Sequence, residues 1–170
     1  MRLSIGASIG RSKPGFSLAD GRVDSRGMFA SIGLNHAVIR SRSQDLYVGA
    51  NFNFFNSKRD DLGSQTIDDK IRVARLSLRY GVVDGIGGRN NAAIYLSRGL
   101  DVLGATHQGR ALASRTGAPH DFTKMAFDLS RFQEINARWG VSAVIAGQRS
   151  GTKLPVSEQY GIGGEYIGRA

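Results

Sequence analysis

Alternation is the feature that most limits what this chain can become. Leu3, Ile5, Ala7 and Ile9 are separated by Ser4, Gly6 and Ser8. Leu46, Val48, Ala50, Phe52 and Phe54 are separated by Tyr47, Gly49, Asn51 and Asn53. Met28, Ala30, Ile32 and Leu34 interleave with Phe29, Ser31 and Gly33. Further on, Ala74, Leu76, Leu78, Tyr80 and Val82 oppose Arg75, Ser77, Arg79 and Gly81. Ala92, Ile94 and Leu96 repeat the pattern, as do Met125, Phe127 and Leu129, and then Trp139, Val141, Ala143 and Ile145. A period of two puts the two sets on opposite faces of a β-strand, and no helical spacing fits these runs as well. The alternation predicts seven strands, over about 2–11, 23–39, 45–57, 70–83, 90–100, 122–133 and 137–149.

The links alternate too. Residues 40–44, 84–89 and 134–136 are short, whereas 12–22, 58–69, 101–121 and 150–170 are long, polar and rich in Gly, Asp, Ser and Lys. Short turns at one end of an antiparallel run and long loops at the other are the layout of an outer-membrane barrel. A soluble sandwich also alternates, with its apolar face inward. Strand length separates the two. Several runs reach 11–17 residues, against a mode of about 5–6 in soluble proteins and about 9–11 needed to cross a bilayer at a tilt. Small Ser and Gly on the polar face suit a crowded lumen better than an open solvated surface. The expected fold is therefore all-β, an antiparallel transmembrane β-barrel. An odd strand count does not close a single-chain bacterial barrel, and residues 1–15 lack the continuous apolar core of an export signal. Both point to a partial barrel over 1–170, with the start Met internal or artificial.

Composition removes other classes. The 170 residues contain no Cys, so disulfides, Cys-ligated zinc, iron–sulfur clusters and a thiol nucleophile are excluded. The three histidines, His36, His107 and His120, stand at no metal-ligand spacing, and no Ser lies in a G-x-S-x-G context. His107 and His120 fall in a loop, where a surface role is expected. The stretch Asp84-Gly85-Ile86-Gly87-Gly88 lacks the GxxxxGK[ST] pattern and reads as a β-turn. A net charge of +9 is compatible with nucleic-acid binding, but the basic residues are scattered and not interleaved with aromatics. No metal, cofactor, catalytic residue, small-molecule substrate or nucleic-acid partner is expected.

One stretch is more specific than a pattern. Residues 122–135, Phe-Thr-Lys-Met-Ala-Phe-Asp-Leu-Ser-Arg-Phe-Gln-Glu-Ile, lead to Gly147-Gln148-Arg149-Ser150 and then to Leu154-Pro155-Val156-Ser157-Glu158-Gln159, Gly161, Gly163-Gly164 and Gly168-Arg169-Ala170. Together these resemble the transporter component of two-partner secretion systems, the family that secretes haemolysins and filamentous haemagglutinins. That family shares an F-x-K…L-x-R-x-Q strand, a G-Q-x-S turn and an L-x-x-S-E-Q…G-G segment leading to an R-G-[YF]-type motif. Ser97-Arg98-Gly99-Leu100-Asp101 with Leu103-Gly104-Ala105 is similar to its G-L…L-G-A stretch. The resemblance is good over about 70–170 and weaker before.

The resemblance implies periplasmic POTRA domains followed by a 16-stranded barrel, of which this chain would be seven middle strands without the POTRA domains or the barrel ends. It implies a cell outer-membrane location, an unfolded secreted exoprotein as partner beside outer-membrane lipid, and no enzymatic chemistry. Residues 150–170 would begin a loop that folds into the lumen, with Ser157, Glu158, Gln159, Gly163, Gly164, Gly168 and Arg169 as the motif that locks it. Gly168-Arg169-Ala170 departs from the commoner V-R-G. An arginine entering a lumen needs a carboxylate, because an unpaired buried charge is costly, and its fork suits a bidentate partner. In the family that partner is an inner-wall Asp beyond residue 170. A flexible Gly-rich tail is the plainer reading of the same residues. Arg75, Arg79, Asp128 and Gln148 fall on the polar face as candidates to line the path, or, for the arginines, to form internal ion pairs. Alternatives to the translocator are a passive pore, another polypeptide-transport barrel such as an assembly insertase, and a soluble basic β-sandwich binding module.

Overall fold

The structure, a computed structural model, describes residues 1–15, 22–106 and 112–161. It contains seven strands: β1 (Arg2–Ser12), β2 (Asp24–Arg40), β3 (Gln44–Asp61), β4 (Ser64–Val83), β5 (Arg89–Gly99), β6 (Thr123–Asn136) and β7 (Trp139–Ser150). A single 3-10 turn follows at Val156–Glu158. The strands form one antiparallel sheet in chain order. Each strand predicted from the alternation is present, and the register shows why. Leu3, Leu34, Ala50, Leu76, Leu96 and Met125 fall on one cross-strand row, and Ile5, Ile32, Phe52 and Ala74 on the next but one. Only pairings that keep apolar residues beside apolar ones hold one face uniform.

Among the described residues no second layer covers the apolar band: strands touch their sheet neighbours, and no second strand layer lies over the sheet. Leu76 is 57% exposed, Leu96 48% and Ile145 63%. A continuous apolar face of this size is foreign to a monomeric soluble protein and is the lipid-contacting surface of a membrane strand sheet. The β-sandwich expectation is thereby overturned: its apolar residues would be buried between two layers. Among the described residues no helix is long and apolar enough to cross a membrane.

Two expectations fail at the long-link end. Residues 58–69 are not a loop; β3 and β4 continue as a paired hairpin to Asp61 and Ser64. The turn is only Leu62-Gly63, both with positive φ (53° and 82°), the conformation that matches strand twist. Polarity misled the reading, because beyond the apolar band a strand can be polar on both faces. His120 is not at the surface either. It is 5% exposed and lies within the β5–β6 connection, beside Asp69 at 3.7 Å. Burial pushes the Asp69 carboxyl up, but the nearby His120 and the hydrogen bond from the Ser114 N–H outweigh this and leave it below its ordinary value.

The short turns match expectation. In Asp84–Gly88 the Asp84 side chain accepts from the N–H groups of Ile86 (3.2 Å) and Gly88 (2.9 Å), and Gly87 takes φ 78°. This is an Asx-type turn, without phosphate-loop character.

Candidate functional site: the polar face and its inward-folded segment

The face opposite the apolar band begins with small residues. Ser4, Gly33, Asn51, Arg75, Ser97, Lys124 and Ser150 occupy one cross-strand row. Arg75 and Lys124 are thus two cations on one rung, separated by the small, fully buried Ser97. The Arg75 Nε donates to Ser97 Oγ at 2.9 Å, which ties the guanidinium to the neighbouring strand.

The segment after β7 folds back over this rung. Its root is apolar: Leu154 packs with Ile71, Val73 and Phe122, and Phe55 lies against the cluster. The buried Leu154 carbonyl accepts from Arg115 Nη1 at 3.3 Å. The 3-10 turn then delivers Glu158 over Ser97. Arg75 Nη2 donates to Glu158 Oε2 (3.1 Å) and Oε1 (3.3 Å). Lys124 Nζ donates to the Glu158 carbonyl at 2.9 Å and pairs with its Oε2. The Glu158 and Lys124 side chains are only 12% and 10% exposed. At that burial one carboxylate shared between two cations is better satisfied than either pair alone, because neither partner is left with an uncompensated charge.

Sequence reasoning placed Glu158 in the loop motif and Arg75 on the polar face, and the structure brings the two together. Arg75 is therefore held by the segment. The sequence reading missed Lys124. Its signal was the F-x-K pattern, which placed a lysine on the Arg75 face without fixing the rung. Arg79, Asp128 and Gln148 lie on the same face. Arg79 Nη2 donates to Asn35 Oδ1 at 3.0 Å and its guanidinium sits 5.8 Å above the Tyr47 ring, while among the described residues Asp128 makes no ion pair. Of the internal ion pairs expected for the two arginines, Arg75–Glu158 forms, and among the described residues neither arginine pairs with Asp128. Ala93 stands between Arg79 and Asp128 on the row. A lined recess of about 490 Å³ nonetheless spans Tyr47, Arg79, Tyr95 and Asp128. Ser157 and Gln159 flank Glu158, and Gln159 Nε2 donates to the Leu154 carbonyl at 3.3 Å, closing the turn on itself. Gly163, Gly164, Gly168, Arg169 and His107 lie outside the described residues.

A one-layer antiparallel sheet, bare and apolar on one side and carrying a folded-back segment on its polar side, is the wall of a partial transmembrane β-barrel. The chain belongs to the haemolysin secretion/activation protein family ShlB/FhaC/HecB, which it matches over residues 4–167. Proteins of this family are outer-membrane transporters of two-partner secretion, in Gram-negative bacteria. Searches of the curated proteins and of the solved structures return no match.

Proposed function

We propose that this sheet is one section of a larger closed barrel that passes an unfolded exoprotein of haemolysin, haemagglutinin or adhesin type across the outer membrane. In lipid a sheet edge cannot keep its N–H and C=O groups unpaired, and β1 and β7 each present one such edge, so further strands would complete the wall. The Glu158 contact supports the translocator reading most directly. A passive pore leaves its lumen to water, whereas here a buried ion centre commits the segment after β7 to the polar face. Arg169 would extend that commitment deeper into the lumen, against a carboxylate on another strand. Arg79, Asp128 and Gln148 would line the path beside the loop.

Secretion of the cognate exoprotein into the medium tests this, with the assembled barrel followed by heat-modifiable migration on a gel. Glu158→Gln and Arg169→Ala should each reduce secretion sharply while the barrel still assembles. Unchanged secretion in both variants would remove the role given to the loop.

A further inference from the structure

The upper edge of the apolar face carries a line of cations whose slope is informative. On the outward face of β1 the apolar run Leu3–Ile9 ends at Arg11; on β2, Met28 is followed upward by Arg26; on β3, Phe54 gives way to Asn56 and Lys58. On β4 the run stops below Arg72 and Lys70, on β5 below Arg98, and on β7 it stops at Arg149. Arg11, Arg26, Lys58, Arg98 and Arg149 are exposed, Lys70 is half-buried, and Arg72 is buried under the Leu103 carbonyl.

These residues are not on one register row. Arg11, Arg26 and Lys58 share a row, Lys70 sits two residues lower, Arg72 four, Arg98 six and Arg149 eight. The edge is level with the rows from β1 to β3 and then drops eight residues by β7, six strand steps from β1 in all. With about 3.4 Å per residue and about 4.8 Å between strands, the mean slope from β1 to β7 is about 43°. Membrane strands tilt by roughly 35–45°. A line inclined to the rows by the tilt angle is horizontal in the membrane. Taken over the whole sheet, the cation edge thus follows the membrane plane as a band at the long-loop rim, where the hydrocarbon ends and the outer-leaflet headgroups begin.

We infer that this line is a binding ledge for the phosphate groups of a phosphorylated glycolipid in the outer leaflet. The inference rests on the outer-membrane barrel reading and goes beyond it by naming a lipid class and its contacts. Carboxylates are present nearby. Asp24 is shared by Arg11, Lys13 and Arg26, and Asp60 and Asp68 flank Lys58. One carboxylate cannot use all the N–H donors of two guanidiniums and an ammonium, so donors remain for a phosphate. Among the described residues Arg98 is bonded through Nη1 alone, to Thr123 Oγ1 at 2.6 Å, and the side chain is exposed, which leaves donors of its fork for a phosphate. Guanidinium forks match phosphate oxygens bidentately.

The test uses the assembled barrel in phosphatidylcholine vesicles, with the thermal midpoint of heat-modifiable migration as readout. Added lipopolysaccharide should raise the midpoint. The variant Arg11→Gln/Arg26→Gln/Lys58→Gln/Arg98→Gln should lose that rise while keeping its midpoint in phosphatidylcholine alone. A control neutralising as many charges at the opposite end, Arg40→Gln/Arg42→Gln/Arg89→Gln/Arg138→Gln, should keep the rise. An equal rise in the ledge variant, or an equal loss in the control, overturns the assignment. So does a rise of the same size with phosphatidylglycerol or with inorganic phosphate alone. Secretion is not read, so failure here leaves the loop reading standing.

Discussion

Replacing Leu78 by arginine asks directly whether the bare face meets lipid. On β4 the outward apolar run extends from Ala74 to Val82, and Leu78 is its central residue, paired with Val48 and Ile94 on the flanking strands. At about 3.4 Å per residue and a tilt of about 40°, that run is about 21 Å tall, close to the apolar band of about 25 Å in such barrels. Leu78 then lies about 10 Å from either edge, at the midplane. Arginine at that depth costs about 2–4 kcal/mol, falling to about 0–1 near the interfaces. Leu78→Arg should therefore cost several-fold more than Val82→Arg at the lower edge of the same column. On the polar face Gln148→Arg should be nearly silent. The assay is guanidinium unfolding of the assembled barrel in lipid vesicles, followed by loss of heat-modifiable migration. Equal costs at Leu78 and Val82 would refute the depth argument. A large cost at Gln148 would show that the two faces had been assigned the wrong way round.

The apolar root of the loop gives a second prediction: Leu154→Ala should cost the segment about 2–3 kcal/mol of docking through the cavity left among Ile71, Val73 and Phe122, read as faster proteolysis of residues 151–161 with the sheet intact. Acid gives a third. The Asp84 carboxyl in the β4–β5 turn is held at about 2, chiefly by its hydrogen bonds from Arg131 and Asn90. Because its folded value is depressed, its contribution is complete above the unfolded value of about 4 and is lost as pH falls from there through about 2. Wild type should exceed Asp84→Asn in stability at neutral pH, and the two unfolding curves should converge over that acid range. At the β3–β4 tip, Leu62→Asn should stabilise the hairpin by about 0.5–1 kcal/mol, because asparagine tolerates the left-handed backbone that leucine adopts there; an unchanged thermal midpoint would contradict it.

Strands were legible where one face meets lipid, since that face forces a strict period of two: every run from Leu3–Ile9 to Trp139–Ile145 lies in a strand. The reading failed where that force is absent. Lys58 to Asp69 lies beyond the apolar band, so its residues carry no periodic constraint, although the backbone ladder simply continues through them. His120 was misplaced for a related reason. A loop looks polar in sequence, and only the fold shows that this one returns to cover the extended end of β4, with Asp68 N–H donating to the Leu112 carbonyl at 2.8 Å and Thr106 N–H to that of Lys70 at 2.9 Å. The site was legible by residue and not by partnership. Alternation gives the face of Arg75 and Lys124, but their common rung depends on the β4–β5 and β5–β6 registers, which turn geometry and long loops set.

The slope of the cation line also bears on how the loop enters. Arg75, Ser97 and Lys124 share a row, so in a tilted wall they do not share a height. On β6 the apolar face ends at Met125, leaving Lys124 at the rim. On β4 it ends below Arg72, so Arg75 lies three residues, about 7 Å, beneath it. In that geometry Glu158 joins a cation at the rim to one farther down the polar face. The segment leaves β7 at Ser150, beside Lys124 at rim height, and its carboxylate reaches down toward β4. Neutralising Lys124 would free the contact on the entry side, and neutralising Arg75 the one within. If descent is what Glu158 provides, Arg75→Gln should impair secretion more than Lys124→Gln, although Lys124 is the more buried of the two cations and by burial alone should matter more. Secretion falling in the order of burial would mean that the ion centre merely packs the wall and does not carry the loop inward.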